Sequence, residues 1–145
     1  MVPIDFSALS FRIRETNNGD EIFDPVRKRW IILTPEEWVR QNFIAYLNEG
    51  CSIPLSLLGI EKRIKVGDLN RRFDIIVYSR GGKPWMVVEC KALHVPLSHH
   101  TISQVLAYVS AINCPYFFIT NGKQTFGWQV INGNVSLLES MPLFA

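Results

Sequence analysis

The chain has 145 residues, 48% of them hydrophobic and 19% charged, and its 15 Lys and Arg against 13 Asp and Glu leave a net charge of +2. That composition excludes wholesale disorder, and the length suits one packed core. The near-neutral balance excludes a uniformly basic surface, so any contact with nucleic acid must come from a local patch.

No apolar run nears the ~18 residues that span a bilayer. The opening MVPIDFSALSFRIRE lacks the basic start and apolar core of a signal peptide. Cys51, Cys90 and Cys114 are odd in number and show no C-x-x-C spacing. Reduced thiols in a cytoplasmic protein without membrane association are expected.

Phe11–Glu15 alternates apolar and polar residues as a half-buried strand does. Asn17-Asn18-Gly19-Asp20 supplies turn residues, after which Glu21–Asp24 can return and Trp30–Leu33 reads as a further short strand. Thr34-Pro35-Glu36-Glu37 is a helix start, with Thr as N-cap and Pro in the first turn. That helix is expected to run through Leu47 and stop near Gly50, with Val39, Phe43, Tyr46 and Leu47 inward and Trp38 widening the stripe.

Glu61–Val66 reads as an exposed or edge strand. Phe73–Ser79 and Trp85–Lys91 are apolar runs around Arg80-Gly81-Gly82-Lys83, a hairpin signal. Ser98–Asn113 is helical, with Ile102, Val105, Leu106, Val109 and Ile112 on one face. Tyr116–Thr120 and Thr125–Ile131 close the pattern as strands about Asn121-Gly122. The order predicts an α/β (α+β) fold, a mixed central sheet flanked by helices with an N-terminal β-hairpin extension. One domain over 1–145 is expected: a strand extension over 1–33, an αβββαββ core over 34–131 and a tail over 132–145.

The chemistry concentrates in the central hairpin. If Gly81-Gly82 forms a two-residue loop, Arg80 faces Lys83 and Asp74 faces Glu89, with both carboxylates on one sheet face. The period of two adds Lys91 to that face and, in the same register, Trp85. Two close carboxylates repel unless one pKa rises or a cation lies between them. Mg²⁺ or Mn²⁺ suits such oxygens, keeps several waters and accepts phosphate oxygens as well. Held by Asp74, Glu89 and the Cys90 carbonyl, it could activate water against a phosphodiester while Lys91 holds the water or offsets developing charge. A bare E-x-K is commonplace; three ionisable groups converging on apolar strands is a costlier arrangement.

Asp74 followed by Glu89-x-Lys91, between a Glu-bearing and a Gln-bearing helix, resembles the PD-(D/E)xK nuclease superfamily. Ile22–Arg27, Leu33–Gln41, Val88–Ala92 and Thr120-Asn121-Gly122 together are similar to the N-terminal domain of type I restriction enzyme R proteins. The resemblance implies a restriction-endonuclease-like core and an Mg²⁺-dependent endodeoxyribonuclease, with Asp74 and Glu89 as metal ligands and Lys91 as catalytic lysine. It further implies a helix acid, Glu37 or Glu36, completing the site, and Gln104 organising it or touching the DNA backbone.

Phe73 replaces the proline that names the superfamily. Gly122-Lys123-Gln124 lacks the earlier glycine and the Ser/Thr of a P-loop, so no ATP site or DNA-translocating motor is expected in this chain.

Lys62, Arg63, Lys65, Arg71, Arg72, Arg80 and Lys83 cluster around the central strands and could meet phosphates. His94, His99 and His100 have no cysteine at zinc-ligand spacing. The expected partners are DNA, through its backbone, and restriction–modification subunits or a second copy of the chain. The alternative from another class is a non-cleaving DNA-binding or assembly module on the same sheet.

Overall fold

A computed structural model describes residues 1–109 and 111–145, Tyr108 by its backbone alone. Three short strands come first: β1 (Ile13–Thr16), β2 (Gly19–Asp24) and β3 (Arg29–Ile32), an antiparallel sheet in the order β1-β2-β3. Gly19 closes the β1–β2 turn at φ 110, a conformation that glycine adopts without a Cβ penalty.

Helix α1 (Pro35–Ala45) starts as the sequence predicts, with the Thr34 hydroxyl accepting the Glu37 N–H at 3.0 Å. It widens into a π-helical turn, Tyr46–Gly50, before the chain leaves. The inward stripe is Val39, Phe43, Ile44 and Leu47; Tyr46 is only half-buried.

Six strands form the main sheet: β4 (Leu58–Val66), β5 (Leu69–Tyr78), β6 (Pro84–Cys90), β7 (Tyr116–Thr120), β8 (Thr125–Ile131) and β9 (Asn134–Leu137). All neighbours are antiparallel except β6 and β7, which run parallel. Parallel neighbours need a crossover, and α2 (His99–Val109) supplies it. Of the helix expected over 98–113, Ser110 lies outside the described residues, and Ile112 instead bridges to Val66 of β4.

The core has two layers, one on each side of the sheet. Val39, Phe43, Ile44 and Leu47 of α1 pack on Ile75, Val77, Met86, Val88 and Phe118. Val105 and Val109 of α2 pack on Ile76, Val87, Phe117 and Ile119. The mixed sheet flanked by helices is therefore the observed α+β architecture.

Three local expectations are corrected. The β5–β6 loop is not a two-residue turn: Tyr78 pairs with Pro84, Ser79–Lys83 form the loop, and a bulge follows before Val77 pairs with Met86. That bulge leaves Trp85 unpaired and turns it to the α1 side, where it meets Tyr116 and Phe144 at 5.0 Å each, away from the face of Glu89. Residues 134–137, expected in a tail, form edge strand β9, reached through Asn132 (φ 49) and Gly133 (φ 79).

Strand β5 is rotated at Asp74. Phe73 and Ile75, two residues apart, would share a face on a regular strand, yet Phe73 fills the α2 layer and Ile75 the α1 layer. Strand β4 shows the same change between Ile60 and Ile64, and Glu61 between them has φ 55. A glutamate in the left-handed region is uncommon and costs of order 1 kcal/mol. Glu61 and Asp74 stand opposite each other at this twist, flanked by the pairs Ile60–Ile75 and Lys62–Phe73.

Candidate active site

The site lies where β5, β6, α1 and α2 meet. The β5–β6 ladder runs from Val77–Met86 to Ile75–Val88. Beyond it the Cys90 N–H donates to Asp74 Oδ2 at 2.7 Å, so a side chain takes the place of a ladder carbonyl. The opposite Asp74 oxygen, Oδ1, lies 3.4 Å from Arg40 Nη2 of α1. Burial nevertheless holds the Asp74 carboxyl above its usual pKa, with the Cys90 N–H and Arg40 pulling the other way.

Glu89 occupies the α2 side. With Lys91, Gln104 and Arg71 it lines an open cleft of about 500 Å³, whose lining Thr101, Val105 and Ala107 of α2 complete. Burial, and secondly the neighbouring Asp74 charge, push the Glu89 carboxyl up to about 7; Lys91 and Arg71 oppose the rise. The Lys91 backbone is fixed by its N–H to Thr120 O at 2.8 Å, and Cys90 is paired with Thr120 on β7. Cys90 turns its thiol into the core, where burial drives the pKa well up, leaving only backbone atoms for the site.

Glu89, Lys91 and Gln104 thus share one cleft. Asp74, expected on the same sheet face as Glu89 and Lys91, does not line that cleft: one of its oxygens meets Arg40 of α1, and its charge alone reaches Glu89. Glu37 is elsewhere: it is 6% exposed and engaged by Arg27 Nη2 at 3.1 Å, Gln41 Nε2 at 3.1 Å and Arg40 Nε at 3.7 Å. The α1 acid whose charge reaches both Asp74 and Glu89 is Glu36.

Sequence reasoning missed the network that holds Asp74 from behind. Asp24, fully buried, accepts the Val26 and Arg27 N–H groups at 2.8 Å each, Arg27 Nε at 2.6 Å and Gln41 Nε2 at 3.0 Å. Arg27 then reaches Glu37, and Arg40 reaches Glu37, Glu61 (3.3 Å) and Asp74. Burial works against the Arg40 charge, but Glu37, Asp74 and Glu61 outweigh it and raise the pKa. Arg40 Nε and Nη1 are buried without an aligned hydrogen bond, so these contacts are charge attraction rather than donor geometry. The signal in the sequence was spacing: Glu37, Arg40 and Gln41 recur at the three- and four-residue interval of the buried stripe.

The donor chemistry fits one divalent ion at Asp74 and Glu89. Two carboxylates supply hard oxygens, both disfavour ionisation when unpaired, and each Asp74 oxygen keeps a lone pair beyond its present contact. Among the described residues no three His, Cys, Asp or Glu side chains surround one point, so water would complete the shell. A separate apolar recess of about 260 Å³, between Phe11, Phe23, Pro25 and Ile44, carries no carboxylate.

Fold and site together describe an α+β domain bearing an acidic, lysine-containing cleft on a mixed sheet. Residues 35–142 match the family described as type I restriction enzyme R protein N terminus (HSDR_N), and the chain belongs to that family. The match begins at α1, so the three-stranded sheet and Asp24 precede it. No curated protein and no solved structure gives a significant match. No helix among the described residues is long and apolar enough to cross a membrane.

Proposed function

We propose that this chain is a metal-dependent DNA endonuclease domain working with restriction–modification subunits or a second copy of itself. The observation that carries this reading is the gathering of Glu89, Lys91 and Gln104 in one open cleft, with the Asp74 charge beside it. Asp74 and Glu89 would hold Mg²⁺ or Mn²⁺, which would supply Lewis-acid polarisation of a phosphodiester and a more acidic water.

The protein groups do the rest. Glu89, its carboxyl pushed up to about 7 by burial and the Asp74 charge, would have to be ionised to serve as a ligand. The Lys91 ammonium orients the attacking water and balances charge building on the phosphate oxygens. Water oxygen bonds to phosphorus as the water gives a proton to bulk solvent. The P–O bond to one sugar breaks, and the departing sugar oxygen takes a proton from a second solvent water, so protons balance. Gln104 offers an amide to the sugar-phosphate backbone across the cleft, and Arg71 sets a cation at its mouth. Glu36, rather than Glu37, is the helix carboxylate completing the acidic set.

Mn²⁺ titration followed by electron paramagnetic resonance tests the ligand assignment. One tight site is expected in the wild type and none in Asp74→Asn or Glu89→Gln. Undiminished binding in both variants contradicts it. A chain that binds DNA without nicking it under any divalent metal is instead a binding module.

A further inference from the structure

The geometry points to the projecting half of the β4–β5 hairpin as an arm that grips the phosphate backbone of duplex DNA through Arg63, Lys65 and Arg72. This proposal rests on the reading of the chain as acting on DNA.

Over Leu69–Phe73, β5 pairs only with β4, because its ladder with β6 begins at Ile75. Beyond the twist at Glu61 and Asp74 the hairpin is thus a two-stranded ribbon. Its length from Lys62 to Val66 is about 14 Å at ~3.4 Å per residue, a size that a DNA major groove accommodates.

The two faces of the ribbon differ. Cross-strand partners share a face, so Ile64 goes with Arg71, and Val66 with Leu69. Ile64, Val66 and Phe73 pack in the α2 layer, and Arg71 on that side lines the cleft of Glu89 and Lys91. The opposite face carries Arg63 directly across from Arg72, and Lys65 across from Asn70, all exposed.

Like charges directly opposite one another cost stability. No ion pair among the described residues engages Lys62, Arg63 or Lys65, while Arg72 has only the influence of Glu61, which Arg27 and Arg40 already hold. Between 61 and 72 there are five basic and two acidic side chains, +3 against the whole chain's +2, so the rest of the molecule is −1. Charges, lysine above all, guard free strand edges against pairing, but that role does not call for two arginines set face to face, as Arg63 and Arg72 are. A bias of one sign on a ribbon continuous with Asp74 calls for a polyanion lying across both.

Arg80 and Lys83, grouped with these residues by sequence, lie at the far end of the ten-residue β5. Arg80 covers the Phe144 ring at 5.5 Å. They supply an internal control.

The test is binding of a fluorescent 30-base-pair duplex in Ca²⁺ across a NaCl series, with plasmid nicking in Mg²⁺ run in parallel. Arg63→Ala/Arg72→Ala is expected to lower affinity at least tenfold at low salt. It should also flatten the log–log salt slope by about 2, at ~0.9 per phosphate contact. Arg63→Lys/Arg72→Lys keeps most of the slope, Arg80→Ala/Lys83→Ala keeps all of it, and the unfolding temperature falls in none of these exposed-site variants. Unchanged affinity in the arm variant, equal loss in the loop variant, or no DNA binding by the wild type overturns the arm. DNA binding that depends on the arm with no nicking supports the arm while refuting hydrolysis.

Discussion

Arg40 Nη2 lies 3.4 Å from Asp74 Oδ1, and the same guanidinium faces Glu37 and Glu61. A helix cation therefore stands behind the proposed metal ligand, anchored through Arg27 and Asp24 to the turn after β2. The N-terminal sheet, outside the family match, is tied to the candidate site by this chain of charges.

Removing Arg40 leaves its carboxylates buried and unpaired. Arg40→Met is expected to destabilise the fold by about 3–5 kcal/mol, as broken buried pairs do. Urea unfolding measures it. A loss below ~1 kcal/mol would mean the contacts are incidental.

Asp24 carries four hydrogen bonds at zero exposure. Asp24→Ala strands Arg27 and two backbone N–H groups, and a cost of about 3–5 kcal/mol follows. Asp24→Asn keeps an acceptor for the N–H groups and should lose less. Equal losses would show that the charge alone matters.

Glu89 gives a pH dependence with a definite sign. Its folded pKa, about 7, lies above the ordinary carboxyl value, so the native state holds a proton that the unfolded chain has lost. Without metal, stability falls as pH rises from about 4.5 to 7 and levels off above. Glu89→Gln should therefore stabilise the metal-free protein at pH 8 by roughly 1–3 kcal/mol while abolishing cleavage. Thermal melts in EDTA at pH 5 and pH 8 check this; a variant less stable than wild type at pH 8 would refute it.

Gly127 stands opposite Phe118, and a Cβ there would come within 2.5 Å of that buried ring. Gly127→Ala should cost about 1–3 kcal/mol by overpacking. Calorimetry would show the drop, and an unchanged melting temperature would mean that Phe118 moves aside freely.

Much of this was legible in the chain, though not always for the right reason. The expected pairing of Asp74 with Glu89 rests on a two-residue turn that does not exist, and the observed ladder ends one pair short of it, at Ile75–Val88. The longer loop displaces the pairing by one residue, and the bulge at Trp85 restores it. Strand β9 was overlooked although Asn134-Val135-Ser136-Leu137 alternates polar and apolar after Asn132-Gly133, among the strongest hairpin signals a sequence offers; on this short edge strand all four residues stay exposed, so the alternation buries nothing. The buried network escaped because charged residues on a helix are ordinarily assigned to solvent. Here Glu37, Arg40 and Gln41 satisfy one another inside, and only partners distant in sequence make that affordable.

Plasmid nicking by the wild type and by Lys91→Ala, in Mg²⁺ and in Mn²⁺, bears most directly on the claim that this cleft hydrolyses DNA. The expected result is nicking by the wild type and none by the variant, whose Mn²⁺ site and melting temperature persist. Equal nicking by both proteins, or none by the wild type in either metal, would contradict it.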